Sequence, residues 1–445
     1  MMLKTFSKGG VHPEENKLSS GSPIQILPVP AEARIPLGQS LGSPAKAIVI
    51  RGDIVKTGQL IARGEAFISA NVHSSVSGKV VKIEEIDDQS GYRRPAIIIV
   101  TEGDEWMDSI DRSASLRKEC RLTPEEIIEK IHEMGVVGLG GATFPTKVKM
   151  IVPQGKKAEI LILNGVECEP YLTADHRLML EKGEEILVGA TILMKALGVK
   201  KAAIGIENNK QDAIIHLSKL AEDYPGIQVF PLRVKYPQGA EKQLIKAVTG
   251  REVPSMKLPV EVGCVVNNVG TAFAVYEAVQ KNKPLFEKVV TVTGKQFAKP
   301  ANFMVRIGTP IAELVGNAGG LPEGTGKVVS GGPMMGKALN SLKVPVVKGT
   351  SGILLFDTAE ARRQPARNCI RCARCVSACP MGLEPYLLEK QVINEMWEEA
   401  EGNHIMDCME CGSCQYVCPS SRPLLDYLRL GKNKTSQLKR TSVDK

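Results

Sequence analysis

Near its C-terminus the chain carries one cysteine signature twice, Cys369-x2-Cys372-x2-Cys375-x3-Cys379-Pro380 and Cys408-x2-Cys411-x2-Cys414-x3-Cys418-Pro419. A cubane of four irons needs one thiolate per iron, and three cysteines at this spacing let a short loop wrap three corners. The fourth thiolate must come from elsewhere. In a two-cluster arrangement the last cysteine of each run crosses to the other cluster, and the proline after it turns the chain away. The pattern predicts two 4Fe-4S clusters, one on Cys369, Cys372, Cys375 and Cys418 and the other on Cys408, Cys411, Cys414 and Cys379. Zinc ribbons pair two CxxC units across a longer gap and have no use for the fourth cysteine and proline. A disulfide framework needs an oxidising compartment, and Met1 to Gly10 lacks the apolar core of a secretory signal. The function therefore involves moving single electrons.

At 445 residues, 43% hydrophobic and 24% charged, the chain has room for several ordinary globular domains. It contains no apolar run of about 18 residues, so a membrane role would run through partners. The formal charge of +8 counts the cluster cysteines as neutral thiols. Eight thiolates against two doubly positive cores leave roughly +4. With 4% aromatic residues and no reader motif, nucleic acid is excluded as a partner.

Four domains are expected. Residues 1–105 hold short β-type runs punctuated by glycine, including Gly52-Asp53-Ile54-Val55-Lys56-Thr57-Gly58-Gln59 and Ser77-Gly78-Lys79-Val80. These resemble the hammerhead barrels of biotinyl and lipoyl carriers, a barrel-sandwich hybrid. Counting back from Ser77-Gly78 places Phe67 where a carrier has its modified lysine, and no lysine lies between Gly64 and Gly78, so the barrel is read as an unmodified docking scaffold. Residues 106–285 alternate strands and helices: Glu159 to Asn164, Lys201 to Ile206 and Gly226 to Val234 read as strands, and Asp175 to Leu197, Asn209 to Ala221 and Ala240 to Val248 as helices. That order implies a Rossmann-like parallel α/β sheet with its ligand outside the carboxyl ends of the strands. Residues 286–341 look like a small β-grasp module, and 342–445 combine a linker to about Arg367 with a helical two-cluster ferredoxin domain. A helix is expected from Pro385 to Ala400, with Leu387, Leu388, Val392 and Met396 on one stripe, and a solvated tail beyond Gly431.

In Val137-Gly138-Leu139-Gly140-Gly141-Ala142-Thr143-Phe144-Pro145-Thr146-Lys147-Val148-Lys149, glycines leave backbone N–H groups free to converge on an anion, with Lys149 adding charge. A tight turn would also explain such a cluster, and its company decides. Asn164-Gly165-Val166-Glu167-Cys168-Glu169, Tyr236-Pro237-Gln238-Gly239-Ala240-Glu241 and Asn267-Asn268 all lie at strand carboxyl ends or strand-to-helix turns. Together these stretches resemble the NADH-binding flavoprotein subunit of respiratory complex I. The resemblance implies noncovalent FMN cradled by Gly138, Gly140, Gly141 and Lys149, with Asn164, Tyr236, Gly239 and Asn268 around its ring and phosphate. It places Phe144 to stack on NAD(H) and brings Glu167, Glu169 and Glu241 to the nucleotide or flavin edge. Leu139 stands where that family has arginine, and Ala240 replaces one carboxylate of a Glu-Glu pair, so the flavin contacts carry over more fully than the nicotinamide contacts.

The barrel, flavin domain and doubled cluster motif together resemble the C subunit of the Rnf complex, the membrane-associated ion-translocating ferredoxin:NAD oxidoreductase. This implies other membrane-complex subunits as partners, NAD(H) as substrate, ferredoxin acting indirectly, and a peripheral place on the cytoplasmic side of the membrane. A soluble flavin and iron–sulfur adaptor without a nucleotide site is the alternative, and Leu139 and Ala240 favour it. Cys120, Cys168 and Cys264 read as inert buried thiols, and Met334 and Met335 as packing residues in a turn.

Overall fold

A computed structural model describes residues 3–443. Its first domain packs an antiparallel sheet, ordered Glu32–Pro36, Arg93–Thr101, Gly78–Asp87, Ile54–Val55, onto a smaller one ordered Lys46–Ala47, Leu60–Arg63, Val72–His73. Ile35, Ile61, Val76, Val80, Ile97 and Ile99 are fully buried between the two sheets. This is the sandwich of short strands that the glycine-punctuated runs imply.

The second domain is a four-stranded, wholly parallel sheet in the order Ile227–Leu232, Ala202–Glu207, Ile160–Asn164, Cys264–Asn268. Every residue of Ala202–Glu207 is buried, as expected of a strand covered on both faces. The long helix expected from Asp175 to Leu197 is two helices, Ala174–Glu181 and Gly183–Leu197. The break falls where the helix Gln211–Ala221 crosses, since a side chain at Gly183 would strike Leu220 and His216.

The third sheet exceeds its expected limits. Its order is Ile24–Ile26, Ala301–Arg306, Glu287–Thr293, Gly352–Asp357, Thr325–Ser330, Lys337–Ala338. Gly352–Asp357, inside the stretch expected to be linker, is a central strand that pairs parallel with Glu287–Thr293 and antiparallel with Thr325–Ser330. Its Ile353 and Leu354 are fully buried. An apolar strand of six residues that opens on a glycine carries no mark of which sheet it joins.

The cluster domain is helical, but the helix expected from Pro385 to Ala400 splits into Pro385–Ile393 and Trp397–Gly402, with Glu395 at φ 56° between them. Leu388 and Val392 are buried while Met396 is exposed. The tail beyond Gly431 is not frayed within the described residues, because the helix Leu424–Val443 runs through it. Thr435 is buried there, and Lys432 Nζ donates to the Cys408 carbonyl at 2.6 Å and to Glu410 at 2.8 Å.

Residues 3–19 form a strap across the molecule. Lys4 bridges to Leu232, Gly10 N–H donates to the Ala378 carbonyl at 2.9 Å, and Val11 pairs with Tyr236 through two hydrogen bonds of 2.8 and 2.9 Å. Lys17 Nζ then donates to the carbonyls of Glu167, Glu169 and Leu172 at 2.7–2.9 Å. One segment thus ties the cluster domain to the loops at the carboxyl ends of the parallel strands.

Candidate functional site

Gly138 N–H donates to the Phe144 carbonyl at 2.9 Å and Val137 bridges Pro145, so the glycine loop is a closed hairpin ahead of the helix Thr146–Met150. Leu139 N–H is held by Thr271 Oγ1 at 2.9 Å. At its apex Gly141 has φ +113°, and a Cβ there would meet nothing within 4 Å. The turn therefore presents bare backbone to open space.

That space is a cavity of about 1520 Å³. Gly138, Gly140, Gly141, Phe144, Lys149, Asn164, Glu167, Glu169, Tyr236, Gly239, Glu241 and Asn268 all line it. The fold thus brings together every flavin and nucleotide residue expected from the sequence. A cavity for one small ligand usually measures about 300–1000 Å³, so this one has room for two ligands side by side.

Most of the polar side chains are already engaged within the protein. Asn164 Nδ2 donates to the Gly239 carbonyl at 2.7 Å while its Oδ1 accepts from Val166 N–H at 3.1 Å. Glu167, expected to meet the cofactor, instead accepts from Asp175 N–H at 2.8 Å and His176 N–H at 3.2 Å, where it holds the start of the helix Ala174–Glu181. Asn268 caps the helix Val269–Gln280 through Gly270 N–H at 2.7 Å and donates to Asp175 at 2.6 Å. Lys149 Nζ bonds Glu241 at 2.8 Å and the Val266 carbonyl at 2.9 Å. Asn164, Glu167 and Asn268 are therefore braces that shape the cradle, and its free donors are backbone amides. The exception is Asn267, whose Nδ2 is buried without a partner in a residue that lines the cavity. It is absent from the residues expected to bind flavin, although its place at the carboxyl end of a strand was a usable signal.

The cavity also has walls from the other two front domains. Leu41, Phe67 and Gln89 reach it from the barrel, and Gly331 and Gly332 from the β-grasp module. Glu169 locks the latter wall in place: it is a half-buried carboxylate accepting from Met334 N–H at 3.0 Å, Met335 N–H at 2.9 Å and the Tyr236 hydroxyl at 3.3 Å. The Met334-Met335 turn, expected to be simple packing, thus supplies the amides that hold a cavity carboxylate.

Burial sets the charge states here. It raises Glu169 to about 7 against the pull of its three donors, and it holds Asp175 well above the usual carboxylate range, with the nearby Glu167 adding to the effect. Burial, then Lys210, pulls Lys17 down to about 8, and desolvation pushes the Cys168 thiol far up. Of the three cysteines expected to be buried, Cys264 is, while Cys120 and Cys168 are half-buried. The folded state holds the Glu169 proton more tightly than the unfolded chain, so this group's stabilisation is full below the usual 4.5 and is lost as pH rises toward about 7. Melting temperature should accordingly fall across that window, and Glu169→Gln should flatten part of the slope. A slope identical in the variant would refute this assignment.

The eight cluster cysteines are free thiols that the fold sorts into two groups. Cys379 lies close enough to Cys408, Cys411 and Cys414 for its charge to raise all three thiols beyond the larger effect of burial. Cys418 acts in the same way on Cys375, and Arg422 sits near both Cys369 and Cys418. Among the described residues no three are drawn into a finished ligand set. Two sets of soft thiolate donors nevertheless fit a pair of 4Fe-4S clusters. In the first set Cys379, Cys411 and Cys414 are buried and Cys408 half-buried, beside the cavity that Cys411 helps to line, whereas Cys369 and Cys372 are exposed. Between cavity and cluster stands Tyr236, whose hydroxyl donates to the Cys411 carbonyl at 2.8 Å.

An anion-cradling α/β cavity abutting a doubled cubane motif defines a flavin and iron–sulfur electron-transfer protein. The family described as the Nuo51 FMN-binding domain matches residues 131–277, and the 4Fe-4S dicluster domain matches 362–419. The RnfC barrel sandwich hybrid domain matches residues 4–104 and the SLBB domain 289–338. Over 97% of its length and 94% of the relative's, the chain is 45% identical to the C subunit of the proton-translocating ferredoxin:NAD(+) oxidoreductase complex of Clostridium ljungdahlii. It is 42% identical to the C subunit of the Na(+)-translocating ferredoxin:NAD(+) oxidoreductase complex of Acetobacterium woodii, over 96% of each chain. An NAD+-reducing [NiFe]-hydrogenase in the air-oxidized state shares the fold, with a TM-score of 0.51 at 20% identity over 70% of this chain and 63% of that one, less than two thirds of its length. This chain belongs to the RnfC family, the C subunits of the ion-translocating ferredoxin:NAD oxidoreductase, or Rnf, complexes.

Proposed function

We propose that this chain is the electron-transfer C subunit of an ion-translocating ferredoxin:NAD oxidoreductase, carrying electrons between NAD(H) and two 4Fe-4S clusters by way of noncovalent FMN. The observation that carries this reading is the Tyr236 hydroxyl bridging cavity and cluster through the Cys411 carbonyl. Flavin, when bound, exchanges a pair of electrons with nicotinamide and single electrons with a cluster. The residues do the rest. Gly138, whose amide closes the hairpin on the Phe144 carbonyl, positions the backbone amides of Gly140 and Gly141 to hold the phosphate end. Lys149, paired with Glu241, adds charge beside it, while Gly239, braced by Asn164, lets the ring approach the backbone closely. Phe144 and Glu241 meet the nicotinamide, and Glu169 holds the wall of the β-grasp module. The cavity volume supports a dinucleotide beside the flavin, against an adaptor without a nucleotide site.

No helix among the described residues is long and apolar enough to cross a membrane. Attachment at the cytoplasmic face is proposed to run through partner subunits, and the chain expressed alone should be recovered without detergent. Anaerobic purification followed by NADH titration tests the proposal: bound flavin should bleach. Gly140→Val should abolish flavin retention without unfolding the domain, since a Cβ at this position would meet Asn268 at an ordinary 3.5 Å. Full flavin content in that variant would place the cofactor elsewhere.

A further inference from the structure

The segment from Arg362 to Arg374 is exposed at every residue and has no regular secondary structure before Arg374. It carries Arg362, Arg363, Arg367, Arg371 and Arg374 and no acidic residue. Arg363 is paired with Asp426, and among the described residues the other four make no ion pair. Set among them are Cys369 and Cys372, both exposed, and Ile370, an aliphatic side chain left 68% accessible. A run of this length with neither structure nor cover is uncommon in a compact domain and is usually functional. Ligands of an iron–sulfur cluster also gain from shelter against water. The other set, with Cys411, faces the flavin cavity, so the two sets have opposite outlooks, one toward the interior and one toward solvent.

Building on the electron-transfer reading, we propose that the face formed by Arg362, Arg367, Arg371, Arg374 and Ile370 is the docking surface for an acidic ferredoxin-type domain of a partner subunit. The arginines steer and orient a negatively charged carrier, and Ile370 is the apolar centre around which the contact closes. Electrons then pass between the partner's cluster and the one held partly by Cys369 and Cys372. A subunit that stays in place is favoured over a free carrier because two cluster ligands would otherwise remain in water.

The test is a triple variant, Arg362→Glu with Arg367→Glu and Arg371→Glu, in the purified complex, with the corresponding triple lysine variant as control. Iron content and the EPR signals of both clusters establish that the variants are loaded. The glutamate variant should leave the complex at lower salt and lose about tenfold or more in ferredoxin-driven NAD+ reduction, while NADH-driven flavin bleaching is unchanged and the lysine variant stays near the parent. An unaltered ferredoxin-driven rate would overturn the proposal. So would loss of binding to anionic vesicles with that rate intact, which would make the surface a lipid contact. Reduction of the isolated chain by free ferredoxin as fast as that of the complex would assign the surface to a soluble carrier instead. Failure of NADH to bleach flavin in the parent chain would count against the nucleotide-site reading, independently of the docking surface.

Discussion

Gly9→Val is expected to uncouple the cluster domain from the flavin domain while leaving each folded. Gly9 has φ +64°, and a Cβ there would fall 2.5 Å from the Cys379 carbonyl carbon and oxygen and 2.7 Å from Pro380 N. All three are backbone atoms that cannot swing aside. The left-handed conformation costs an ordinary residue about 1–2 kcal/mol, and overpacking against fixed backbone adds about 1–3 kcal/mol. The strap can escape that cost by releasing its contacts with Ala378 and Tyr236. Flavin content and NADH bleaching should then survive, whereas electron passage from flavin to the clusters should slow by orders of magnitude. Rapid-mixing absorbance at flavin and cluster wavelengths would separate the two steps. Cluster reduction at the parent rate would show that the strap does not set the coupling.

The second large effect concerns cross-ligation. Cys379→Ala should damage the cluster on Cys408, Cys411 and Cys414, and Cys418→Ala the one on Cys369, Cys372 and Cys375, although each altered cysteine is nearer in sequence to the other set. The consequences differ because only the first set adjoins the cavity. With Cys379→Ala, electrons from NADH should stop at the flavin and neither cluster should be reduced at speed. With Cys418→Ala, the cluster beside Cys411 should still be reduced through the Tyr236 contact. EPR of anaerobic samples frozen after NADH addition distinguishes these cases. Loss in each variant of the cluster nearest in sequence would reverse the assignment.

How much of this was legible in the sequence depended on whether the signal was local. The cysteine spacing encodes its own chemistry, so a 4Fe-4S dicluster domain could be read without structure, while the exchange of fourth ligands stays a proposal for the variants above to test. The strand-end loops were legible because a parallel sheet puts ligands at one edge, and the whole expected set does line one cavity. What the side chains do there was not legible. Asn164, Glu167 and Asn268 have residue types that suit a ligand, but their partners Gly239, Asp175 and Gly270 are fixed by tertiary contacts. Gly352–Asp357 looked like linker because strand identity depends on its neighbours, and residues 3–19 carried no periodic pattern at all. The strap becomes visible only where Gly10 meets Ala378, nearly the whole chain away.

Counting electrons tests the central claim most directly. The holoprotein, reduced anaerobically, freed of reductant and mixed with excess NAD+, should yield about two NADH per chain, since the flavin contributes a pair and each cluster one. About one NADH per chain, with both clusters still reduced, would mean that the clusters do not communicate with the nucleotide through this chain's flavin.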